Sequence, residues 1–240
     1  MCNRSRGHRV IFLIVARFGL TVDSGSGSVG GYPRGRVPAE MREQQILLVA
    51  QRLFASNGYE ATGIVDIARA AGVTRPVVYK HFESKEAIYL AVLRHAREDL
   101  MIQLSEAITG EGEPVAQIRA ATDAYFRYVE RNQHAWEILF GGGAAVAGPA
   151  ADEAARLRTE TIRFIARHIR RLAPDADQLR CDAFAYALSG SAEQIAQWWR
   201  HNPHLDRQQV VDYHMSFTWP GLSALLPRYV SSAADDLPTG

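Results

Sequence analysis

Cysteine is scarce in this chain. Only Cys2 and Cys181 occur among the 240 residues, and they lie far apart in the sequence. Neither belongs to a group of Cys and His residues at metal-binding spacing, so the sequence predicts neither a disulfide framework nor a zinc site. A reducing cytoplasm suits such a chain, and we expect it to be cytoplasmic. Because Cys181 falls within an apolar helical pattern, we expect a small buried residue there.

An excess of charge of either sign is missing as well. The 27 basic and 26 acidic residues give a formal net charge of +1, so binding to nucleic acid would require a local basic patch. Long apolar runs are also missing: the run 10–22 is interrupted by Arg17 and is shorter than the roughly 20 residues that cross a bilayer. We therefore expect no membrane partner.

The N-terminal segment leaves one alternative open. Three arginines precede the apolar run, as in a signal peptide, but no small-residue cleavage pattern follows it. The Ser- and Gly-rich stretch 24–31 is typical of a flexible linker. We predict that residues 1–38 are a disordered extension, or the product of an upstream translation start, and that 231–240 are a disordered tail.

Signatures of catalysis are missing from the sequence. It contains no glycine-rich phosphate loop, no H-E-x-x-H and no G-x-S-x-G motif, and the glycines at 141–143 precede no Lys-Ser/Thr pair. His201, His204 and Asp206 flank a proline without a fourth ligand, which favours a solvated loop over a metal site. We predict no enzyme, no cofactor and no metal.

What the sequence does contain is helical periodicity. Apolar residues recur at helical spacing from Met41 onward, and no hairpin turn separates alternating runs. We predict an all-α chain of about nine helices. A breaker cluster at 110–114 divides it.

Residues 64–82 form the most informative pattern. A short apolar stripe ends at Gly72, which supplies the backbone conformation that a tight turn needs. Thr74 can cap the following helix with its hydroxyl, and Pro76 lies in the first turn, where its missing N–H costs little. The inward side is expected to comprise Val73, Val77 or Val78, and Phe82. The polar side then faces outward, as a recognition helix in the major groove requires.

Over Arg42 to Leu93 the chain resembles the N-terminal domain of the TetR family of transcription regulators. The matching residues are Ile46, Ala50, Leu53, Phe54, Gly58, Tyr59, Thr62, Ile67, Ala68, Ala71, Gly72, Val73, Tyr79, His81, Phe82, Lys85 and Glu86. Two positions depart from the family pattern. Gly63 stands where Ser or Thr commonly caps the second helix, and Pro76 stands where glycine is common.

The resemblance implies a set of DNA contacts. It implies phosphate contacts by Thr62, Tyr79, His81 and Lys85. It implies base or groove contacts by Thr74, Arg75, Pro76 and Lys80. Arg75 is the best candidate for binding guanine, because a guanidinium donates two parallel hydrogen bonds to that base. Ahead of the first helix, Arg34 and Arg36 are candidates for an arm that contacts phosphates or the minor groove.

The resemblance also implies the organisation of the molecule. Residues 39–86 would form the helix-turn-helix domain, and 87–230 a helical domain for ligand binding and dimerisation. The implied function is a dimeric regulator of palindromic double-stranded DNA, a repressor that a small, largely apolar ligand releases. The alternatives are a helical enzyme, or a membrane-associated or exported helical protein with a non-functional helix-turn-helix.

Two further sets of residues are candidates in the C-terminal part. The last two long helices are apolar on more than one side, which indicates a second buried face. The dimer candidates are Phe184, Leu188, Ile195, Trp198, Phe217 and Leu222. Aromatic residues of the middle helices, with one histidine for polarity, suit an apolar ligand, although a plain core has the same pattern. The ligand candidates are Tyr125, Phe126, Tyr128, His134, Trp136, Phe140 and Phe164.

Overall fold

The computed structural model describes residues 37–108, 112–140 and 149–226. Within these ranges every regular element is an α-helix, which confirms the all-α prediction. The predicted arm residues Arg34 and Arg36, the apolar run 10–22 and the tail 231–240 lie outside the described residues. No helix in the described ranges is both long enough and apolar enough to cross a membrane.

Nine helices follow one another along the described ranges. They are α1 (Ala39–Asn57), α2 (Ile64–Ala70), α3 (Arg75–His81), α4 (Lys85–Ala107), α5 (Pro114–Arg131), α6 (Gln133–Phe140), α7 (Pro149–Leu172), α8 (Gln178–Arg200) and α9 (Arg207–Ser223). Ser84 caps α4, because its hydroxyl accepts a hydrogen bond from the N–H of Ala87 at 3.0 Å. Pro220 lies inside α9.

The chain divides into two compact units. Of the described residues, the first unit contains 37–98, 131–140 and 149–154, and the second contains the remainder. The first unit is thus larger than the predicted segment 39–86: it also takes in residues 87–98 of α4, all of α6 and residues 149–154 of α7. Within it α1 packs against α2 and α6, and α2 packs against α3.

The first unit is built around α1. Ile46 and Ala50 of α1, together with Ile67 of α2 and Val78 of α3, are almost completely buried. Gly58 ends α1 with a φ of 84°, and its N–H donates to the carbonyl of Phe54. Glycine adopts such positive φ values without the steric penalty of a side chain. The chain can therefore turn sharply from α1 into the helix-turn-helix.

In the second unit, α8 packs against α9. Cys181 of α8 is fully buried, as predicted. Both helices begin at an aspartate: Asp177 accepts a hydrogen bond from the N–H of Arg180, and Asp206 accepts one from that of Gln209. Carboxylates at these positions satisfy N–H groups that a helix leaves unpaired and complement its dipole.

Candidate nucleic-acid interface

The turn between α2 and α3 sets the direction of α3. Gly72 has a φ of 63°, the left-handed conformation predicted for it. Directly after it, the N–H of Val73 donates to the carbonyl of Ala68 at 3.0 Å, which satisfies one of the free carbonyls at the end of α2. The chain then enters α3 in a fixed orientation.

One side of α3 is buried and the other is exposed. Val78 is completely buried, whereas Val77 is only half-buried, so Val78 is the inward residue of the two that the sequence left open. The outward residues of α3 and its cap are exposed: Thr74, Arg75, Pro76, Tyr79 and Lys80. With Val78 fixing the rotation of the helix, these five side chains share the solvent-facing surface.

Arg75 and Tyr79 contact each other on this surface. One terminal nitrogen of Arg75 donates to the Tyr79 hydroxyl at 3.3 Å, and the guanidinium carbon lies 5.4 Å from the centre of the Tyr79 ring. The two residues are one helical turn apart, the spacing at which side chains meet on a helix. The stacking orients the guanidinium along the exposed face before any ligand is bound.

The predicted hydroxyl cap of α3 is wrong. The Thr74 hydroxyl makes no capping hydrogen bond. A capping oxygen accepts from the second or third N–H of the helix. The second belongs to Pro76, which has none, and the third, from Val77, donates to the carbonyl of Thr74 at 2.9 Å. Pro76 therefore removes the bond that Thr74 would make and leaves its hydroxyl exposed.

The N-terminus of α2 is not capped by a Ser or Thr hydroxyl, as the family pattern would suggest. Gly63 is the N-cap, and its N–H donates to the carboxylate of Asp66 at 3.0 Å. The neighbouring Thr62 is completely buried, and its hydroxyl lies 2.8 Å from the carbonyl of Gly58, to which it donates. The Thr62 hydroxyl is thus used within the loop rather than presented to a phosphate.

Two other predicted phosphate ligands are also held inside the unit. The Lys85 ammonium donates to the Tyr59 carbonyl at 2.8 Å and lies 4.2 Å from the centre of the Tyr59 ring. The His81 side chain is only 13% exposed, and its Nδ1 lies 3.9 Å from a carboxylate oxygen of Glu43. His81 was expected to point outward, and Lys85 was expected to contact a phosphate; both side chains are instead only partly exposed and have partners within the unit.

A buried glutamine supports the turn, and sequence reasoning missed it. The side-chain amide of Gln45 donates to the carbonyl of Ala71 at 2.9 Å, and its oxygen accepts from Arg42 at 2.6 Å. Gln45 is 3% exposed, so this amide satisfies a carbonyl at the end of α2 that would otherwise be buried unpaired. The signal was a glutamine inside the apolar stripe of α1.

The dimer candidates differ in their exposure within the second unit. Trp198 and Phe217 are exposed by 45% and 71%. Phe184, Leu188 and Ile195 are half-buried, while Leu222 is buried and lines a small cavity. The exposed apolar surface of α8 and α9 includes three further large side chains that the sequence analysis did not select: Leu179, Tyr186 and Tyr213.

The ligand candidates are divided between the units. Tyr125, Phe126, Tyr128 and Phe164 lie in the second unit, whereas His134, Trp136 and Phe140 lie in the first. Phe126 and Tyr128 are completely buried. Burial, with smaller contributions from Asp99 and Tyr125, raises the pKa of Tyr128 well above its usual value. His134 is exposed on the first turn of α6.

A small apolar cavity lies elsewhere in the second unit. It has a volume of about 10 Å³ and is lined by α5, α7, α9 and the residues that follow α9. The lining residues are Pro114, Ile118, Ile169, Leu172, Ala173, Trp219, Leu222, Leu225 and Leu226. This space is comparable to a single water molecule, so the described conformation offers no room there for a larger ligand.

The described residues contain no group of three side chains that could hold a metal ion. In the loop that raised this possibility, the Nδ1 of His201 lies 2.9 Å from the carbonyl of Gln197, and Asp206 caps α9. Both side chains thus have structural partners within the helices that flank the loop.

Comparison with known proteins agrees with this geometry. Residues 46–92 match the family described as bacterial regulatory proteins, tetR family, and residues 114–221 match the tetracyclin repressor-like C-terminal domain. The chain is 30% identical over 196 residues to the HTH-type transcriptional activator FasR of Mycolicibacterium smegmatis, a match that covers 81% of this chain and 89% of FasR.

Solved structures share the fold. A TetR-like transcriptional regulator from Rhodococcus sp. RHA1 has a TM-score of 0.66 at 23% identity and covers 78% of this chain and 99% of its own. AibR, crystallised with isovaleryl coenzyme A and operator DNA, has a TM-score of 0.62 at 21% identity and covers 75% of this chain and 98% of its own. The predicted resemblance is confirmed, and this chain belongs to the TetR family of transcriptional regulators.

Proposed function

We propose that this regulator binds a palindromic operator as a two-fold dimer and represses transcription until a small acyl-type effector releases it. The observation that carries the DNA-binding part is the exposed face of α3. Arg75, Tyr79 and Lys80 point to solvent while Val78 is completely buried. A recognition helix needs this division, because its outward side chains must reach base edges and phosphates.

The positive charge on the exposed face of α3 also supports DNA binding. Although the chain carries a net charge of only +1, Arg75 and Lys80 are exposed on α3, and no acidic residue lies within α3. Cations in this position attract phosphate and release bound counterions. The base and groove contacts that we propose are those of Thr74, Arg75, Pro76 and Lys80, with Tyr79 as a phosphate contact.

The exposed surface of α8 and α9 supports the dimer. Phe217 is 71% exposed, Tyr186 is 57% exposed and Trp198 is 45% exposed. The ring centres of Trp198 on α8 and Tyr213 on α9 lie 6.4 Å apart, and large exposed apolar side chains on neighbouring helices indicate a protein partner. A second copy related by a two-fold axis is the simplest partner, since a palindrome has the same symmetry.

Two observations support the effector proposal: the aromatic interior of the second unit, and a protein of the same fold that was crystallised with an acyl-coenzyme A. The second unit has an aromatic interior in which Phe126 packs edge-on against Trp199 at 6.0 Å between ring centres, and apolar surroundings of this kind suit an aliphatic chain. AibR, which shares the fold, was crystallised with isovaleryl coenzyme A. We propose acyl-coenzyme A thioesters as the effector class for this chain.

Repression and activation must be distinguished by a separate experiment, since FasR is named an activator. A reporter gene driven by the promoter of the regulator's own gene, with and without the regulator, measures it. Repression predicts higher reporter output without the regulator, and lower output would assign activation instead.

Protection mapping on the DNA that flanks its own gene tests the binding proposal. We expect a symmetric footprint of two half-sites about one helical turn, or a multiple of it, apart. We also expect affinity to fall steeply as salt rises. A panel of acyl-coenzyme A thioesters of increasing chain length, added to the bound complex, tests the effector. No protection even at low salt would contradict DNA binding by α3, whereas protection that no thioester relieves would contradict the effector class alone.

A further inference from the structure

Lys85 joins the two ends of the helix-turn-helix segment. The segment leaves α1 at residues 58–60, passes through α2 and α3, and returns at Phe82 to the start of α4. At the base of this loop the Lys85 ammonium donates to the carbonyl of Tyr59 at 2.8 Å and lies 3.4 Å from that of Glu60. A single side chain therefore connects the chain that enters the segment to the chain that leaves it, 26 residues later.

Aromatic residues around Lys85 hold its ammonium in place. The ammonium lies over the Tyr59 ring, 4.2 Å from its centre, a distance at which a cation is attracted to an aromatic face. One turn further along α4, the ring of Tyr89 meets the ring of Tyr59 edge-on at 5.0 Å. Phe54 of α1 completes the cluster, 5.2 Å from Tyr89 and 5.7 Å from Tyr59. Two successive turns of α4 thus hold the residues that follow α1.

We propose that Lys85 is a positioning residue for DNA binding, which holds α2 and α3 in the orientation that the operator requires, rather than a phosphate ligand. Its ammonium is engaged by one carbonyl at hydrogen-bonding distance, a second nearby and an aromatic face, and contact with a phosphate would draw it away from them. Lys80, in contrast, is exposed on α3. The inference rests on the proposed DNA-binding face, and it assigns a different role to one residue near that face.

The effect of salt on affinity separates the two roles. A lysine that neutralises a phosphate contributes about 0.9 to the slope of log affinity against log salt, because its contact releases one counterion. A lysine that only positions the helices contributes nothing to this slope. Lys85→Met removes the ammonium and keeps most of the aliphatic stem, and Lys80→Met is the matched control on α3.

We expect Lys85→Met to lower the affinity of the folded full-length protein for DNA flanking its own gene by about tenfold, the contribution of one charged hydrogen bond. The salt slope should stay at its wild-type value. Lys80→Met should reduce the slope by up to about 0.9, because an ammonium held in the groove also replaces counterions of the adjacent phosphates. An unchanged slope in Lys80→Met would count against the proposed DNA-binding face, whereas a reduced slope in Lys85→Met would overturn the positioning role.

Tyr59→Leu keeps the proposal falsifiable if Lys85→Met fails to fold. It leaves the lysine charge in place but removes the ring beneath it, so positioning predicts weaker DNA binding with an unchanged slope. If both variants fold, their effects on affinity should be non-additive, because they disrupt one contact. Circular dichroism at the assay temperature identifies the folded protein. Wild-type DNA affinity in folded Tyr59→Leu or Lys85→Met would overturn the proposal, including the case in which only the melting temperature falls.

Discussion

Two buried histidines of the second unit should make the stability of this protein fall in mild acid. His214 is 2% exposed: its Nε2 lies 3.1 Å from the Ser191 hydroxyl, and its Nδ1 has no hydrogen-bond partner. Burial lowers the pKa of His214 to about 4 from 6.5, against a smaller opposing effect of the Leu188 carbonyl. Burial, with the neighbouring Arg171, also lowers the pKa of His168 to about 4.

The direction of the effect follows from linkage. Between pH 6.5 and about 4 the unfolded chain binds more protons at these sites than the folded chain does, so the free energy of unfolding falls as pH falls. Each histidine that shifts between these values should remove about 2 kcal/mol between about pH 7 and about pH 5. Above pH 6.5 the stabilisation is fully present.

Urea unfolding at about pH 7 and about pH 5, at one fixed protein concentration, measures this loss. Fixing the concentration matters because dissociation of a dimer would add to the unfolding free energy. His214→Gln should reduce the loss between the two pH values by about 2 kcal/mol, whatever it does to stability at neutral pH. His204→Gln is the matched control, since His204 is exposed in the loop before α9. A His214→Gln protein that loses as much stability in acid as the wild type would refute the reasoning.

Three further changes test the local structure. Gln45→Leu leaves the carbonyl of Ala71 without its buried partner and should lower the free energy of unfolding by about 1–3 kcal/mol in urea titrations; no loss would mean that the carbonyl finds another partner. Gly72→Ala places a side chain at a φ of 63° and should cost about 1–2 kcal/mol by the same assay, and a neutral result would contradict the turn geometry. Phe217→Glu puts a charge on the exposed face of α9 and should shift sedimentation toward the monomer, whereas an unchanged dimer would exclude this face from the interface.

The helix-turn-helix was predictable because its determinants are local. Gly72 marks the turn, and the apolar spacing indicates that Val77 or Val78 faces inward. Only tertiary packing, in which α3 lies against α2, decides for Val78. The missing cap at Thr74 was also foreseeable, since a proline at the second helical position has no N–H to donate.

What the sequence could not show depends on tertiary contacts. Lys85 binds a carbonyl 26 residues away, and no local pattern indicates which backbone oxygen a lysine will reach. The same holds for Gln45, whose acceptor lies at the far end of α2. Among the apolar residues of α8 and α9, periodicity did not separate the buried Leu222 from the exposed Phe217, because both helices are apolar on more than one side.

The central claim is that α3 reads a DNA sequence, and Arg75 tests it most directly. The measurement is the affinity of wild-type and Arg75→Ala protein for the protected DNA and for copies of it with single base-pair changes. We predict that Arg75→Ala weakens binding by about 1–3 kcal/mol and loses discrimination at one base pair in each half-site. Loss of affinity by the same factor for every sequence, or no loss at all, would contradict base recognition by this helix.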